Sequence, residues 1–192
     1  MSVELVERRI TLDEWERMVE AGVFDEDERI ELLGGRIVCM APIGIRHRAS
    51  TSALYEFFLP RLLGRAIVYS QQPVGIPPDA EVEPDLLIVR YRTDQYRTRH
   101  PRPEDVLLIV EVADSSLSID TSAKLPRYAE AGIPEAWLFD LRGDRALVYC
   151  EPQNGTYSLV RIVERGGTLS PIAFPDLVLQ ANDILWPGGE SE

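Results

Sequence analysis

The residues best suited to chemistry in this chain are two carboxylates and one lysine: Asp85, Glu111 and Lys124. Asp85 follows Pro84 at the start of an apolar run, and Glu111 lies near the end of the next apolar run. Carboxylates that meet at one point can hold Mg²⁺ through oxygen, and a positioned cation can handle the attacking water. These residue types therefore predict metal-assisted hydrolysis of a phosphodiester bond, if the fold brings them together.

Glu111 places a charge inside LLIVEV, a segment apolar enough to form a buried strand. A carboxylate in such a strand needs a metal ion or a cationic partner, because an isolated buried charge is costly. On the residues alone, an ion pair with a buried arginine would also account for Glu111. Asp85 alone is typical of a turn residue after proline, so both alternatives stay open at this stage.

Lys124 is the only lysine among the 20 basic residues, and the other 19 are arginines. A GC-rich genome accounts for the arginines but not for the one lysine. Arginine replaces lysine where only positive charge is needed, but not where a compact ammonium must approach a metal-bound water or a phosphate. Lys124 is therefore a candidate catalytic residue, and its survival by chance is the alternative.

Composition limits the classes of protein that this chain can belong to. The hydrophobic fraction is 45% and the charged fraction 27%, and no apolar run approaches the roughly 20 residues of a membrane span. The first residues lack the pattern of an export signal, so a cytoplasmic location is expected. Cys39 and Cys150 form no CxxC motif, which argues against a zinc ribbon and favours two reduced thiols.

The net charge of −12 is the main objection to a nucleic-acid partner, since phosphate binding depends on positive charge. The charge is unevenly distributed, however: residues 90–102 carry about +4 and the remainder about −16. Arginines in and near such a patch, interleaved with tyrosines, are expected to follow a phosphate backbone. The predicted nucleic-acid contacts are Arg46, Arg48, Arg90, Arg92, Arg97 and Arg99, and a solvated loop is the alternative for the patch.

Helix and hairpin signals in the first third of the chain indicate which elements carry further polar residues. A capping box predicts a helix over 12–21. A Gly-Gly pair predicts a β-hairpin whose first strand contains Glu31. An amphipathic pattern predicts a second helix over 48–63, with His47 at or just before its start.

Apolar runs predict strands over 66–76, 85–91, 105–113 and 135–141, with 105–113 as the central strand. Before the last of these, a helix is predicted to begin at a cap among residues 120–122 and to end at Ala131, followed by Gly132. Turn sequences predict a C-terminal β-meander. The order of elements predicts an α/β or α+β fold around a mixed central sheet, in one domain over 1–192.

Pro84-Asp85 followed by Glu111-Val112-Ala113 resembles the PD-(D/E)XK nuclease superfamily, which has a restriction-endonuclease-like core. Within it, the chain is most similar to the Uma-two family of bacterial endonucleases. The segments that carry this resemblance lie in the family's order and span most of 11–141. They are 29–38, His47 before a helix, 83–89, 110–116, and Lys124 with Tyr128 before 132–140.

The resemblance implies roles for these residues, with one departure from the superfamily pattern. Ala113 stands where a catalytic lysine is expected, and in this family a lysine from the following helix fills the same space, which points to Lys124. By this likeness Asp85 and Glu111 bind Mg²⁺ (or Mn²⁺), and the Val112 carbonyl is a further ligand. Lys124 orients the water and stabilises the phosphate. Two auxiliary residues are implied as well, Glu31 as a ligand and His47 as a phosphate or water contact.

Two functions remain open from the sequence. The first is a metal-dependent endonuclease, with DNA as the expected substrate. The second is a nuclease-fold protein that no longer cuts and serves as a binding or regulatory module, for instance as a homodimer. The acidic charge and Ala113 favour the second. A hydrolase triad of His47 with Asp114-Ser115-Ser116 is rejected because the G-x-S-x-G turn is missing.

Overall fold

The fold is built around a six-stranded sheet. The computed structural model describes residues 7–25, 27–40 and 42–186. The helices are α1 (Leu12–Glu20), α2 (Ile45–Leu62), α3 (Leu117–Ile119) and α4 (Leu125–Glu130), and a π-helical segment (Asp120–Lys124) joins the last two. The strands are β1 (Ile30–Leu32), β2 (Ile37–Cys39), β3 (Ala66–Ser70), β4 (Val74–Ile76), β5 (Ala80–Val82), β6 (Leu86–Arg90), β7 (Val106–Ala113), β8 (Glu135–Asp140), β9 (Arg145–Gln153), β10 (Thr156–Glu164), β11 (Thr168–Leu169) and β12 (Leu179–Gln180).

The sheet has the order β10-β9-β8-β7-β6-β3 and is mixed, because β7 and β8 run parallel while the other neighbours are antiparallel. The predicted central position of the 105–113 strand is confirmed, since β7 lies inside the sheet and is buried along almost its whole length. Helix α2 packs on one face and α4 on the other. Successive side chains of a strand point to opposite faces, so Val110 and Val112 face α2.

A smaller antiparallel sheet, β2-β1-β5-β4, holds the β1–β2 hairpin beside the main sheet. The predicted Gly-Gly turn is confirmed: Gly34 and Gly35 have φ of 64° and 70°, a region that favours glycine. A Cβ added at Gly35 would lie 2.7 Å from the Cβ of Arg9, so the turn is also closely packed. The hairpin places Glu31 in β1, as expected.

The first helix and the C-terminal meander follow their sequence signals. Thr11 and Glu14 form both bonds of the capping box that begins α1. The turn between β9 and β10 contains Asn154 and Gly155 at positive φ, which is typical of a tight hairpin. In the part of the chain that the structure describes, no helix is long and apolar enough to cross a membrane.

Three predicted boundaries are wrong. Helix α2 begins at Ile45 rather than at 48, after Gly44, which makes no side-chain capping bond, so His47 lies inside the first turn. The single strand predicted over 66–76 is two strands in different sheets, separated near Gln71 at φ 50°. The helical segment predicted from a cap at 120–122 begins earlier, at Leu117, and Asp120 lies buried inside it rather than capping it.

Candidate active site

Asp85 and Glu111 lie at the same edge of the central sheet. Asp85 directly precedes β6, and the antiparallel pairing sets Leu86 opposite Val110, so Asp85 lies beside the last residues of β7. The main-chain N–H of Val112 donates a hydrogen bond to Oδ2 of Asp85 at 2.8 Å. Two adjacent strands thus hold two carboxylates together, one from the beginning of β6 and one from near the end of β7.

Lys124 joins these carboxylates from the helical segment that covers this face of the sheet. Its Nζ lies 3.0 Å from Oε1 of Glu31 and 3.4 Å from Oε1 of Glu111. The residue is only 6% exposed. The main-chain N–H of Leu125 donates to the carbonyl of Asp120, which is the i→i+5 bond of a π-helix, and such turns are common at functional sites.

Glu31 and His47 complete the cluster from two further elements. Oε1 of Glu31 also accepts a hydrogen bond from the main-chain N–H of Glu83, at 2.8 Å. Nε2 of His47 lies 3.0 Å from Oδ2 of Asp85. Since an ionised carboxylate can only accept, Nε2 of His47 is the donor in this contact. All five residues predicted for the site, the two auxiliary ones included, therefore lie in one cluster.

Tyr128 and Asp120 also belong to the cluster, although sequence reasoning predicted neither as a site residue. The Tyr128 hydroxyl donates to Oε1 of Glu111 at 2.5 Å, and the pKa of this buried phenol is raised well above its usual value by burial and by Glu111. Asp120 accepts from Ser116 Oγ at 2.6 Å. The spacing of Asp120, Lys124 and Tyr128 at i, i+4 and i+8 was the available signal, because such residues share one helix face.

The cluster has more negative than positive charge. Four of its carboxylates are buried with a single ammonium: Glu31, Asp85, Glu111 and Asp120. Burial raises the pKa of Glu111 to about 8; Lys124 opposes this shift, and Asp120 and Asp85 add to it. Burial lowers the pKa of Lys124, but Glu111, Glu31 and Asp120 outweigh that effect, so its pKa is raised and it stays charged.

This charge imbalance and the free oxygens of the carboxylates fit a divalent cation. Hydrogen bonds among the described residues use Oδ2 of Asp85 and Oε1 of Glu111, which leaves the other oxygen of each carboxylate to bind an ion. Mg²⁺ commonly takes one or two carboxylates and completes its shell with water and phosphate. Within ranges 7–25, 27–40 and 42–186, no three His, Cys, Asp or Glu side chains converge tightly enough to ligate one ion as they stand. The donor set therefore fits a two-carboxylate site.

The predicted nucleic-acid contacts divide into two groups. Arg46 and Arg48 lie in the first turn of α2 on either side of His47, and Arg46 donates to the Leu141 carbonyl at 2.7 Å. The arginines of 90–99 begin at Arg90, the last residue of β6, which lies about 16 Å from Asp85 at roughly 3.3 Å per strand residue. Two of these arginines already face carboxylates: Arg92 binds Asp94 and Arg99 binds Asp105. The structure thus brings the first group to the cluster and not the second.

Comparison with known proteins identifies a family and a similar solved structure. The model of the Uma2 (Uma-two) family, described as "Putative restriction endonuclease", matches residues 12–182. The fold is similar to the crystal structure of a protein described as a putative nuclease belonging to DUF820, from Anabaena variabilis ATCC 29413. The TM-score is 0.68 at 16% identity, over 92% of this chain and 97% of that one. A search of curated proteins gives no match.

Proposed function

The chain belongs to the Uma2 family, and on that premise we propose that it is a Mg²⁺- or Mn²⁺-dependent endonuclease that hydrolyses phosphodiester bonds of DNA. The observation that carries the proposal is the position of Lys124, whose ammonium lies between Glu31 and Glu111 at the strand edge that also holds Asp85. Carboxylates with a fixed cation are what metal-assisted phosphoryl transfer requires.

The departure at Ala113 supports this assignment to Lys124. Ala113 lies two residues beyond Glu111 on β7, so both side chains face the side of the sheet that α4 covers. A lysine at position 113 would therefore point toward the cluster, which Lys124 reaches from the helical segment that covers this face. The ammonium is thus supplied by another element, and the strand keeps a small buried residue in its place.

The residues divide the work of hydrolysis in the following way. Asp85 and Glu111 would hold the divalent ion, with the Val112 carbonyl as a further oxygen; the ion supplies Lewis-acid polarisation of the phosphate. Lys124 acts as a fixed cation rather than as a base, because its raised pKa keeps it protonated. It would stabilise the negative charge that develops on the phosphate and hold the attacking water. His47 positions Asp85 through their hydrogen bond.

The second candidate is a nuclease-fold protein that binds without cutting. Its support is the net charge of −12 and the arrangement of the acidic side chains, of which no three in the described ranges lie close enough together to hold one metal ion. Under this alternative the buried cluster stabilises the fold, and a homodimer or a protein partner uses the surface.

Cleavage of plasmid DNA in the presence of Mg²⁺ or Mn²⁺ separates the two candidates. We expect nicking or linearisation by the wild type and none by Glu111→Gln or Lys124→Arg, each checked for folding by circular dichroism. Glu135→Gln is the matched control, since Glu135 is a buried carboxylate whose contacts are Trp137 and the Ile172 amide. Metal-dependent cleavage that survives in Glu111→Gln would contradict the site.

Metal binding is measured separately by calorimetric titration of Mn²⁺. The wild type should release or absorb heat on binding, and Asp85→Asn should lose that signal. Heat that is equal in both proteins would place the ion elsewhere. A folded wild type with no metal response and no cleavage would favour the binding module.

A further inference from the structure

A pocket of about 360 Å³ adjoins the cluster on the far side of His47. Its walls come from the first turns of α2 and from the end of β3, and they include His47, Arg48, Thr51, Tyr55, Ser70 and Gln71. The volume lies in the roughly 300–1,000 Å³ range of small-molecule sites. The pocket therefore has room for a ligand the size of one nucleotide.

Two buried polar atoms in this pocket wall lack hydrogen-bond partners among the described residues: Oγ1 of Thr51 and Nδ1 of His47. Thr51 is only 8% exposed, and its hydroxyl does not bond the carbonyl four residues earlier, as a helical threonine often does. Buried polar atoms are nearly always paired. The two residues are four apart on α2 and so share a face. Neither atom is accessible to solvent, so a ligand in the pocket bonds them only when the side chains around them shift.

The pocket is tied to the cluster at two points. His47 separates the two spaces and donates from Nε2 to Asp85. On the opposite wall, Ser70 Oγ and the main-chain N–H of Gln71 both donate to the Asp85 carbonyl at 3.3 Å. A strand with its reacting phosphate at Asp85 and Glu111 would therefore have its neighbouring nucleotide at this pocket.

The wall chemistry matches a nucleoside monophosphate. Tyr55 is half-buried and presents an aromatic ring on which a base can stack. Arg48 is exposed at the rim and can bind a phosphate, while Gln71 offers polar atoms to a base edge. Glu56 also lines the pocket, and its carboxylate repels a phosphate placed beside it.

We propose that this pocket binds the nucleotide next to the scissile phosphate, with its base on Tyr55. A small shift of the pocket wall on binding brings the polar edge of the base to Thr51 and His47 Nδ1. The proposal rests on the proposed function and names its substrate more closely. A base held in a pocket is out of its stack, so the preferred substrate is a single strand or a duplex with one displaced nucleotide.

Calorimetric titration of 5′-dAMP and 5′-dCMP into Glu111→Gln tests the pocket independently of cleavage. We expect Tyr55→Leu to weaken mononucleotide binding by about 10-fold or more, since stacking on an aromatic ring contributes strongly. Thr51→Val should weaken it by several-fold and should not lower the melting temperature, because its hydroxyl has no partner to lose. Tyr149→Leu, a half-buried tyrosine on β9, is the matched control and should bind as Glu111→Gln alone does.

Three results would overturn the pocket: no mononucleotide binding, binding of inorganic phosphate as tight as that of the nucleotides, or unchanged affinity in both Tyr55→Leu and Thr51→Val. Loss of melting temperature in Thr51→Val without loss of affinity would assign a structural role to the hydroxyl, which also overturns it. Mononucleotide binding that depends on Tyr55 and Thr51 supports the pocket even where no DNA is cut, so failure of the proposed function is a separate result.

Oligonucleotides with one abasic position provide the second arm of the experiment. Removing the base that occupies the pocket should lower kcat/KM for single-strand cleavage by about 10-fold or more at one position next to the cut. That penalty should disappear in Tyr55→Leu. Cleavage that is equal for every abasic position would refute the pocket while leaving the nuclease assignment in place.

Discussion

Lys124→Met removes the ammonium of the buried cluster and keeps a side chain of similar length. Nζ lies 3.0 Å from Glu31 and 3.4 Å from Glu111, and the three side chains are nearly inaccessible to solvent. Removing one partner from a buried ion pair typically costs about 3–5 kcal/mol, because it leaves a charge uncompensated. We expect the free energy of unfolding to fall by about that amount at pH 8.

The loss should be smaller at lower pH, because a carboxyl without its cation can bind a proton instead. A glutamic acid has an ordinary pKa of 4.5 in the unfolded chain. Keeping one more such group protonated in the folded state costs about 1.4 kcal/mol for each pH unit above that value. The expected cost is therefore about 2 kcal/mol at pH 6 and about 5 kcal/mol near pH 8, where it meets the cost of the unpaired charge.

Urea unfolding followed by circular dichroism at pH 6 and pH 8 measures both numbers. Arg65→Met is the matched control, since Arg65 makes two hydrogen bonds to Asp176 but both side chains are exposed. Exposed ion pairs contribute little, so the control should change little at either pH. If Lys124→Met costs no more than Arg65→Met at pH 8, or costs the same at both pH values, the ammonium does not compensate buried charge.

Three further predictions concern residues outside the catalytic cluster. Burial raises the pKa of Glu135, against the opposing hydrogen bonds from Ile172 and Trp137, so the stability contributed by its protonated carboxyl is lost as the pH rises above 4.5. Between pH 4.5 and 7 the urea midpoint should therefore fall less in Glu135→Gln than in the wild type. Equal slopes in the two proteins would contradict this prediction. Burial raises the pKa of the Cys150 thiol to about 11 while Cys39 is exposed, so a thiol reagent should label Cys39 in the folded protein and Cys150 only after unfolding, as read by mass spectrometry. Gly35→Ala should cost about 1–3 kcal/mol in urea unfolding and more than Gly155→Ala, because both have positive φ but only Gly35 has a close neighbour; an equal loss would show that the contact with Arg9 yields.

Much of the fold could be predicted because its signals are local. The apolar run of β7 and the capping box at Thr11 depend on neighbouring residues alone. The start of α2 was missed because Gly44 makes no side-chain cap, so the sequence carries no start signal there. Strand β5 was missed because it has only three residues, too few for an apolar run. The break near Gln71 was missed because it uses a backbone conformation that is uncommon for a non-glycine residue.

The candidate site could be predicted only in part, because its geometry depends on which elements meet. The charge inside an apolar strand indicated Glu111, and the scarcity of lysine indicated Lys124. Both signals can be read from the sequence without knowledge of the tertiary fold. Asp120 has the residue type of a helix cap, yet it is buried against the cluster, which only the tertiary fold decides. The 90–102 segment has the composition of a binding patch, but the direction of β6 places it at the far end of the strand.

Burial of the only lysine leaves a surface whose cationic side chains are guanidinium groups. Acylating reagents and lysine-modifying enzymes therefore find no accessible side-chain amine on the folded protein. A protease that cuts after lysine has a single target bond, Lys124–Leu125, and that bond lies inside the helical segment over the cluster. Appearance of two fragments under such a protease, or of label on Lys124, would report directly how often this helical segment lifts from the sheet.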